Sequence, residues 1–449
     1  MTDLLVRGAL VAVPAGEVAA DVAIAGGMIA AIGPGLEAGG AEVVEAAGLV
    51  VLPGVVDIHV HLDDPGRAEW EGFATGTRAL AAGGTTTCVD MPLNALPPTI
   101  DGESFDLKAR AAQGVAHVDV ALWGGLVPGD LDRLDELAER GVVGFKAFMS
   151  DSGTPEFQAA DDLTLLEGMA RAARLGLPVA VHAESNELTG RLAARAAALG
   201  RTSMRDYLSS RPVIAELEAI GRALAFAAET GCALHVVHVS TGRGIALIAA
   251  ARGRGVDVTC ETCPHYLVLG EDDAVALGAI AKCAPPLRPA ADVAALWNEL
   301  AAGRIDLVAS DHAPCPPERK QGADMLRAWG GISGAQTVLA LLWDAGVAGA
   351  RLAPADLARL LSAAPAGRVG LGPAKGRLEV GADADLVLVD PAGEWLVARE
   401  GLHDRHRLSP FAGRTLRGRV VRTILRGRTV ALDGRPVGKP TGRVVRRAP

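Results

Sequence analysis

The chain has 449 residues, of which 49% are hydrophobic and 22% charged, a composition typical of a globular protein with a sizeable core. Its formal net charge of −9 argues against nucleic acid and anionic membranes as partners, because both require a positive protein surface. Aromatic residues make up only 3% of the chain, so side chains that could stack on bases are scarce. We therefore expect a small-molecule substrate.

The N-terminal residues 1–8 lack the basic start, apolar core and cleavage site of a signal peptide. No apolar stretch is long enough to cross a bilayer without Gly, Pro or a charge. We therefore expect a cytoplasmic protein with reduced thiols. Cys260 and Cys263 form a Cys-x-x-Cys pair, but no second pair follows at zinc-ribbon spacing, so we interpret both as small buried side chains.

Both ends of the chain contain short β-type runs broken by glycine and show no helical period. The runs cover residues 4–13, 21–24, 28–32 and 42–53 at one end, and 384–389 and 419–432 at the other, where the turn signal Asp433-Gly434 follows. Neither group can close a core alone. We predict that the two ends pair into one β-sandwich domain of residues 1–52 and 379–449.

Between these ends, β-rich runs alternate with helical stretches, which is the pattern of βα units around a parallel sheet. Eight runs occur, the number that closes a (β/α)₈ TIM barrel, and we assign residues 53–378 to it. The runs are 55–62, 85–91, 118–126, 142–149, 178–184, 233–240, 256–267 and 305–313. Helices are predicted over 75–82, 131–140, 162–175, 215–230, 291–302, and 334–345 together with 354–362.

Metal-ligand side chains collect at the C-terminal ends of the predicted strands, where active sites of such barrels lie. His59 and His61 are two apart on the first strand, so their side chains share one face. Other strand ends add four more candidates, namely Lys146, His182, His238 and Asp311. Four histidines and an aspartate that converge in this way predict a metal site.

The alternation of side chains along a strand also indicates which of two neighbouring residues is the metal ligand. His235 lies on the opposite face from His238 and further from the strand end, so we assign it a structural role. Asp311 continues the eighth strand and is preferred to His312 as the ligand, because a carboxylate complements imidazoles. Residues that could support the ligands are Asp57, His265 and His312.

Lys146 lies in the apolar segment Gly144-Phe145-Lys146-Ala147-Phe148, where an unpaired ammonium would be costly. Burial favours the neutral amine, which can react with carbon dioxide to form an anionic carbamate with two oxygen ligands. Such a carbamate could bridge two metal ions. The alternative interpretation is a lysine whose stem is buried and whose ammonium reaches the barrel rim.

These residues, together with motifs along the whole chain, resemble the cyclic amidohydrolases of the amidohydrolase superfamily. The segments that carry the resemblance are Pro53-Gly54-Val55-Val56-Asp57-Ile58-His59-Val60-His61, Pro65-Gly66-Arg67, Trp70-Glu71-Gly72-Phe73, Met91-Pro92-Leu93-Asn94, Gly141-Val142-Val143-Gly144-Phe145-Lys146, Ala281-Lys282-Cys283, Ser310-Asp311-His312-Ala313-Pro314-Cys315-Pro316-Pro317, Trp329-Gly330-Gly331-Ile332 and Gly381-Ala382-Asp383-Ala384-Asp385-Leu386.

The resemblance implies a binuclear centre, usually of zinc, in which carboxylated Lys146 bridges the two ions. It places His59, His61 and Asp311 on one ion, and His182 and His238 on the other. It further implies a homotetramer, a proton-transfer role for Asp311, and substrate contacts from Asn94, Ala284 and Gly331. For Asn94, a turn residue after the second strand is an equally good interpretation.

The resemblance also reduces the number of candidate substrates. Dihydroorotase-like chains carry an arginine two residues after the second histidine, where this chain has Asp63. Dihydropyrimidinases and hydantoinases carry a tyrosine after the metal-bridging lysine, and residues 148–152 contain none. We therefore expect hydrolysis of allantoin, a ureido-hydantoin, to allantoate in purine catabolism. The alternatives are dihydropyrimidinase or hydantoinase activity, and a non-catalytic scaffold, which the six filled ligand positions disfavour.

Overall fold

The computed structural model describes residues 2–129, 131–372 and 374–447. Its N-terminal strands are β1 (Leu4–Val13), β2 (Gly16–Ala25), β3 (Met28–Gly33), β4 (Glu42–Glu45) and β5 (Val50–Pro53). β1 pairs with β2 in antiparallel fashion, and its other edge is shared by β4 and β5. The run predicted over 42–53 is therefore two strands, separated by a turn in which Gly48 has a φ of 80°.

The central part of the chain forms the predicted barrel. Its strands are β6 (Val55–Val60), β7 (Thr85–Asp90), β8 (Asp119–Leu122), β9 (Gly124–Gly125), β10 (Phe145–Phe148), β11 (Val179–His182), β12 (Leu234–Val236), β13 (Val258–Thr262) and β14 (Leu307–Val308). β8 and β9 are two parts of the third barrel strand, interrupted at Trp123, so the eight predicted strands are confirmed. Neighbouring strands pair in parallel. The His61 amide donates to the His312 carbonyl over 2.8 Å and joins the first strand to the eighth.

The described helices are α1 (Phe73–Ala82), α2 (Gly102–Ala112), α3 (Arg133–Glu139), α4 (Asp162–Arg174), α5 (Asn186–Ala198), α6 (Met204–Ser210), α7 (Val213–Thr230), α8 (Gly242–Arg252), α9 (Pro264–Val268), α10 (Glu271–Leu277), α11 (Ala290–Ala301), α12 (Val338–Leu342), α13 (Pro354–Ala358) and α14 (Ala364–Arg368). Sequence and structure agree well at α4, where Asp161 caps the first turn and Leu165, Met169 and Ala172 are buried. Within the described residues, no helix is both long and apolar enough to span a membrane.

The C-terminal strands are β15 (Leu386–Leu396), β16 (Thr415–Leu425), β17 (Arg428–Leu432) and β18 (Arg435–Pro436). β15 pairs with β5, so the two ends of the chain join in one nine-stranded sheet with its own apolar core. This confirms the barrel with a composite β domain. The domain limits at residues 52 and 378 stay a prediction.

A buried charge network joins the sheet to the barrel. The Nζ atom of Lys375 lies 2.6 Å from Asp119 of β8 and 2.8 Å from both Asp383 and Asp385. The last described residues return to the same barrel strand, where the Val120 amide donates to the Arg443 carbonyl over 2.9 Å. The Arg426 side chain, between β16 and β17, donates to the Thr441 carbonyl over 2.7 Å, so the C-terminal segment contacts both the sheet domain and the barrel.

Several predicted strands are too long: the sixth run, expected over 233–240, is β12 at Leu234–Val236, and the seventh and eighth runs differ most. The seventh run was expected to continue to residue 267, but β13 ends at Thr262 and α9 begins at Pro264, because proline favours the first turn of a helix. The eighth run was expected over 305–313, whereas β14 covers only Leu307–Val308. Asp311 has a φ of 46°, which extended backbone does not allow.

Candidate metal and substrate site

The ends of the first and eighth strands bring three predicted ligands together. The Asp311 Oδ1 atom lies 3.2 Å from Nε2 of His59 and 3.5 Å from Nε2 of His61. All three side chains are buried, and one ligand atom from each lies within 4.8 Å of the others. Two imidazoles and a carboxylate in this arrangement can hold a divalent metal ion.

His182 and His238 form a second pair beside this group. Nδ1 of His182 lies 3.0 Å from Nε2 of His238, and the ring centroids of His59 and His238 are 5.4 Å apart. Burial lowers the pKa values of both His182 and His238, so these imidazoles are neutral and have a lone pair to donate. The five predicted histidine and aspartate ligands thus form one continuous cluster.

Lys146 is fully buried on β10 next to this cluster. Its Nζ atom has no hydrogen-bond partner among the described residues and lies 5.1 Å from the ring centroid of Phe148. Burial lowers its pKa to about 8, which increases the fraction of neutral amine at physiological pH. The unpartnered Nζ of Lys146 and Nδ1 of His238, beside the other imidazoles, fit a group that binds metal.

Glu261 supports this cluster, and sequence reasoning missed it. Its buried carboxylate hydrogen-bonds Nδ1 of His59 and accepts from the His238 amide over 3.2 Å. Its other oxygen lies 3.1 Å from Nε2 of His235. Burial by itself raises the pKa of Glu261, but His59 and His235 hold it well below its ordinary value. Glu261 therefore directs Nε2 of His59 toward Asp311.

The sequence signal that could have identified Glu261 is that it is a single carboxylate within the buried strand Val258–Thr262. A buried carboxylate requires a hydrogen-bond partner. His235 also hydrogen-bonds Thr259 over 2.9 Å, in agreement with the structural role assigned to it.

Glu184 supports the second pair in the same way. Its Oε2 atom lies 3.0 Å from Nε2 of His182 and forms an ion pair with Arg211. Burial favours the protonated acid, but Arg211, His182 and Arg288 together outweigh burial and lower the pKa of Glu184 to about 2. Because Nε2 of His182 is engaged with Glu184, Nδ1 is the nitrogen available to a metal.

The three residues expected to support the ligands differ in what they contact. Asp57 accepts from the amides of His59 over 3.3 Å and Ser310 over 3.1 Å, so the expectation that it orients an imidazole is wrong. His265 is buried beside Asp311, and its Nε2 atom lacks a hydrogen-bond partner in the described part of the chain. His312 accepts from the Gly334 amide over 3.2 Å and anchors the segment after the eighth strand.

A cavity of about 300 Å³ opens above the cluster and is lined by all three predicted substrate-contact residues, Asn94, Ala284 and Gly331. The Asn94 amide nitrogen lies 3.3 Å from Nδ1 of His61, and Asn94 has a φ of 68°. Asn94 therefore has the backbone conformation of a turn residue and also lines the cavity, so its two interpretations are compatible. Cavity-lining residues that sequence reasoning missed are Phe148, Tyr207, Arg211, Lys282 and Trp329.

Two ligand-bearing positions have strained backbone. His238 has a φ of 39° and Asp311 a φ of 46°, values that non-glycine residues rarely adopt. Such strain persists where the surrounding structure overrides local preference, and it concentrates at functional sites. Here it turns both side chains toward the cluster at the point where each strand ends.

The comparisons with known proteins agree with this geometry. A model of the amidohydrolase family matches residues 50–430. An allantoinase of Rubrobacter xylanophilus is 64% identical over 444 residues, which cover 99% of this chain and 97% of the relative. An allantoinase of Solibacter usitatus is 53% identical over 446 residues, again covering 99% and 97%.

Solved structures resemble the chain over its full length. An L-hydantoinase (dihydropyrimidinase) from Arthrobacter aurescens superposes with a TM-score of 0.96 at 36% identity and covers 100% of both chains. A dihydropyrimidinase from Brevibacillus agri gives 0.93 at 34% identity, covering 100% of this chain and 99% of the other. With its fold, its cluster of candidate ligands and these matches, the chain belongs to the amidohydrolase family.

Proposed function

We propose that this protein hydrolyses the ring amide of allantoin to allantoate with the help of two bound metal ions. The observation that carries the proposal is the 64% identity to an allantoinase over 99% of the chain. The buried cluster supports the chemistry, because it supplies imidazole and carboxylate donors at the end of the barrel where catalysis takes place. Hydantoinase activity is the second candidate, since the solved structures named above are hydantoinases and dihydropyrimidinases.

The proposed ligand set uses all six predicted positions. His59, His61 and Asp311 would hold one ion, and His182 and His238 the other. Lys146 would lie between them as a carbamate, formed when its neutral amine bonds to the carbon of CO₂ and releases a proton. Zinc suits such a nitrogen and oxygen donor set. When bound, the ions supply a hydroxide near neutral pH and polarise the substrate carbonyl.

Asp311 is suited to carry the proton. Burial alone would raise its pKa, but His59 and His61 lower it to about 2, so its carboxylate is ionised at neutral pH and can accept a proton. Hydrolysis adds the elements of water across the ring C–N bond, with hydroxide going to the carbonyl carbon and a proton to the nitrogen. Asp311 would accept the proton released by the attacking water and pass it to that nitrogen.

The cavity walls would orient the ring. Asn94 lies against His61, so its amide can contact a substrate while it remains next to the ligand cluster. Ala284 and Gly331 also line the cavity, and their backbone groups would contact the polar edge of a cyclic ureide.

The test is a parallel hydrolysis assay on allantoin, hydantoin, dihydrouracil and dihydroorotate with zinc-loaded protein. We expect preference for allantoin, loss of activity in Lys146→Ala, and full activity in Lys439→Ala, which removes an exposed lysine. Faster turnover of hydantoin or dihydrouracil would favour the second candidate. The homotetramer and the cytoplasmic location expected from the sequence remain predictions.

A further inference from the structure

Two lysines hold one wall of the substrate cavity, and neither belongs to the ligand cluster. Lys282 follows the seventh barrel strand, and Lys320 ends the short helix Pro317–Lys320 after the eighth. Both contact the segment of residues 328–331, which we call the cavity loop. Three members of this loop whose backbone the lysines contact, Ala328, Trp329 and Gly331, line the cavity.

The Lys320 side chain is bound by backbone carbonyls. Its Nζ atom donates to the carbonyls of Ala279 over 2.9 Å, Trp329 over 3.0 Å and Gly331 over 2.6 Å. A protonated lysine has three N–H donors, and each of them is used here. Burial lowers the pKa of Lys320 to about 8. Because this value is still above neutral pH, the side chain is mostly protonated there and keeps all three donors.

Lys282 holds the other end of the cavity loop. Its Nζ atom donates to the Ala328 carbonyl and lies 4.4 Å from the ring centroid of Tyr207. Among the described residues, no carboxylate lies within ion-pair distance of Lys282 or of Lys320. Burial of two amino groups without a counter-ion is costly. The hydrogen bonds to backbone carbonyls offset part of this cost, and they tie both lysines to the cavity loop.

Both backbone groups of Gly331 are held by these lysines. Its amide donates to the Lys282 carbonyl over 2.8 Å, and its carbonyl accepts from Lys320, so both backbone groups are fixed. A Cβ atom at Gly331 would lie 2.2 Å from the Ala313 carbonyl oxygen, so the loop cannot be held there by a larger side chain. A carbonyl oxygen has a second lone pair, so the carbonyl of Gly331, a residue that lines the cavity, can accept a further hydrogen bond.

We infer that Lys320 and Lys282 are positioning residues that fix the cavity loop, so that the Gly331 carbonyl can accept a hydrogen bond from the substrate ring. The inference rests on the proposed function, because it assigns the cavity to a cyclic amide with an N–H donor. Neither lysine touches the substrate in this role. Their contribution is to recognition of the ring, whereas the ligand cluster serves the chemical step.

The test compares Lys320→Met, which keeps the aliphatic stem but removes the donors, with Lys320→Arg, which restores several of them. Loss of an intramolecular hydrogen bond to a charged group lowers the population of the ordered loop, relative to displaced forms, by about tenfold or more, and only the ordered loop places the Gly331 carbonyl for the substrate. We expect Lys320→Met to raise KM for allantoin by about that factor with kcat and bound metal little changed. Lys320→Arg should recover much of the loss, and Lys439→Met should behave as wild type.

Hydrogen exchange gives a readout that needs no substrate. We expect amide exchange across residues 328–331 to be faster in Lys320→Met than in wild type, while exchange in the ligand-bearing strands stays the same. If Lys320→Met does not fold, Lys282→Met is measured in the same way. If allantoin is not hydrolysed by wild type, the proposed function fails, but exchange still tests the loop. Unchanged KM together with unchanged exchange would overturn the inference.

Discussion

Replacing Glu261 by glutamine is expected to weaken metal binding although Glu261 is not itself a proposed ligand. The carboxylate accepts from His59, His235 and the His238 amide. It thereby keeps the proton of His59 on Nδ1 and leaves Nε2 free beside Asp311. Glutamine has one acceptor oxygen and one donor nitrogen. It cannot accept from both imidazoles, so one of them must change its tautomer.

The size of the effect follows from these contacts. Residues that orient a metal-bound histidine contribute about 10- to 100-fold to metal affinity or activity, which corresponds to about 1.4 to 2.7 kcal/mol. Glu261 contacts two imidazoles and one backbone amide, and its negative charge is lost in the variant. We therefore expect a result toward the upper end of that range for the dissociation constant of the metal.

The measurement is chelator competition on zinc-loaded protein, followed by metal analysis of the dialysed sample. Asp306→Asn is the matched control, because Asp306 accepts from the amide of Cys260, the neighbour of Glu261 on β13, over 2.8 Å and hydrogen-bonds no histidine among the described residues. The control should lose stability but keep its metal. If Glu261→Gln binds zinc as tightly as wild type, the assigned role of Glu261 in orienting His59 is wrong.

Three further outcomes are expected. Lys375→Met should lower the free energy of unfolding by about 3 to 5 kcal/mol in urea denaturation, because it removes the cation that Asp119, Asp383 and Asp385 share and, within the described part of the chain, leaves only Asp119 with a second ion pair, to Arg426; a change below 1 kcal/mol would refute this. Metal-free protein should regain activity with zinc more completely when bicarbonate is present, and an equal recovery without CO₂ would argue against a carbamate on Lys146. Burial and the neighbouring Arg211 and Lys320 lower the pKa of Lys282 to about 7 from 10.5. Between pH 7 and 10.5 the unfolded chain binds more protons at Lys282 than the folded chain does. The difference in the free energy of unfolding, wild type minus Lys282→Met, should therefore rise with pH, by at most about 1.4 kcal/mol per pH unit. A flat difference from pH 7 to 9 would contradict the shift.

The barrel and the ligand cluster could be predicted because their signals are local. Alternation along a strand places His59 and His61 on one face, and the barrel rule places the other ligands at the same end. Helix α5 could not be predicted from an apolar stripe, since Thr189 is its one buried residue. α8 was missed because its buried face includes Gly242 and Gly244, which are poor helix formers.

The supporting carboxylates could not be predicted because their partners lie far away in sequence. Glu261 and His59 are separated by 202 positions, and no periodic pattern links them. The early end of β14 has a similar origin, since the positive φ of Asp311 is imposed by its surroundings and not by its own preference. Pro264 is different, because its helix-start signal was present in the sequence and was outweighed by the apolar run.

Pairing of β5 with β15 brings Pro53 next to Leu386, and this has a consequence for synthesis of the chain on the ribosome. The first five strands emerge early but cannot complete their sheet until almost the whole polypeptide has been made. Until then β5 presents an open apolar edge, which invites pairing with other chains. Products truncated before residue 386 should therefore aggregate even when their barrel segments are intact, and full-length yield should improve when translation is fast relative to association of nascent chains.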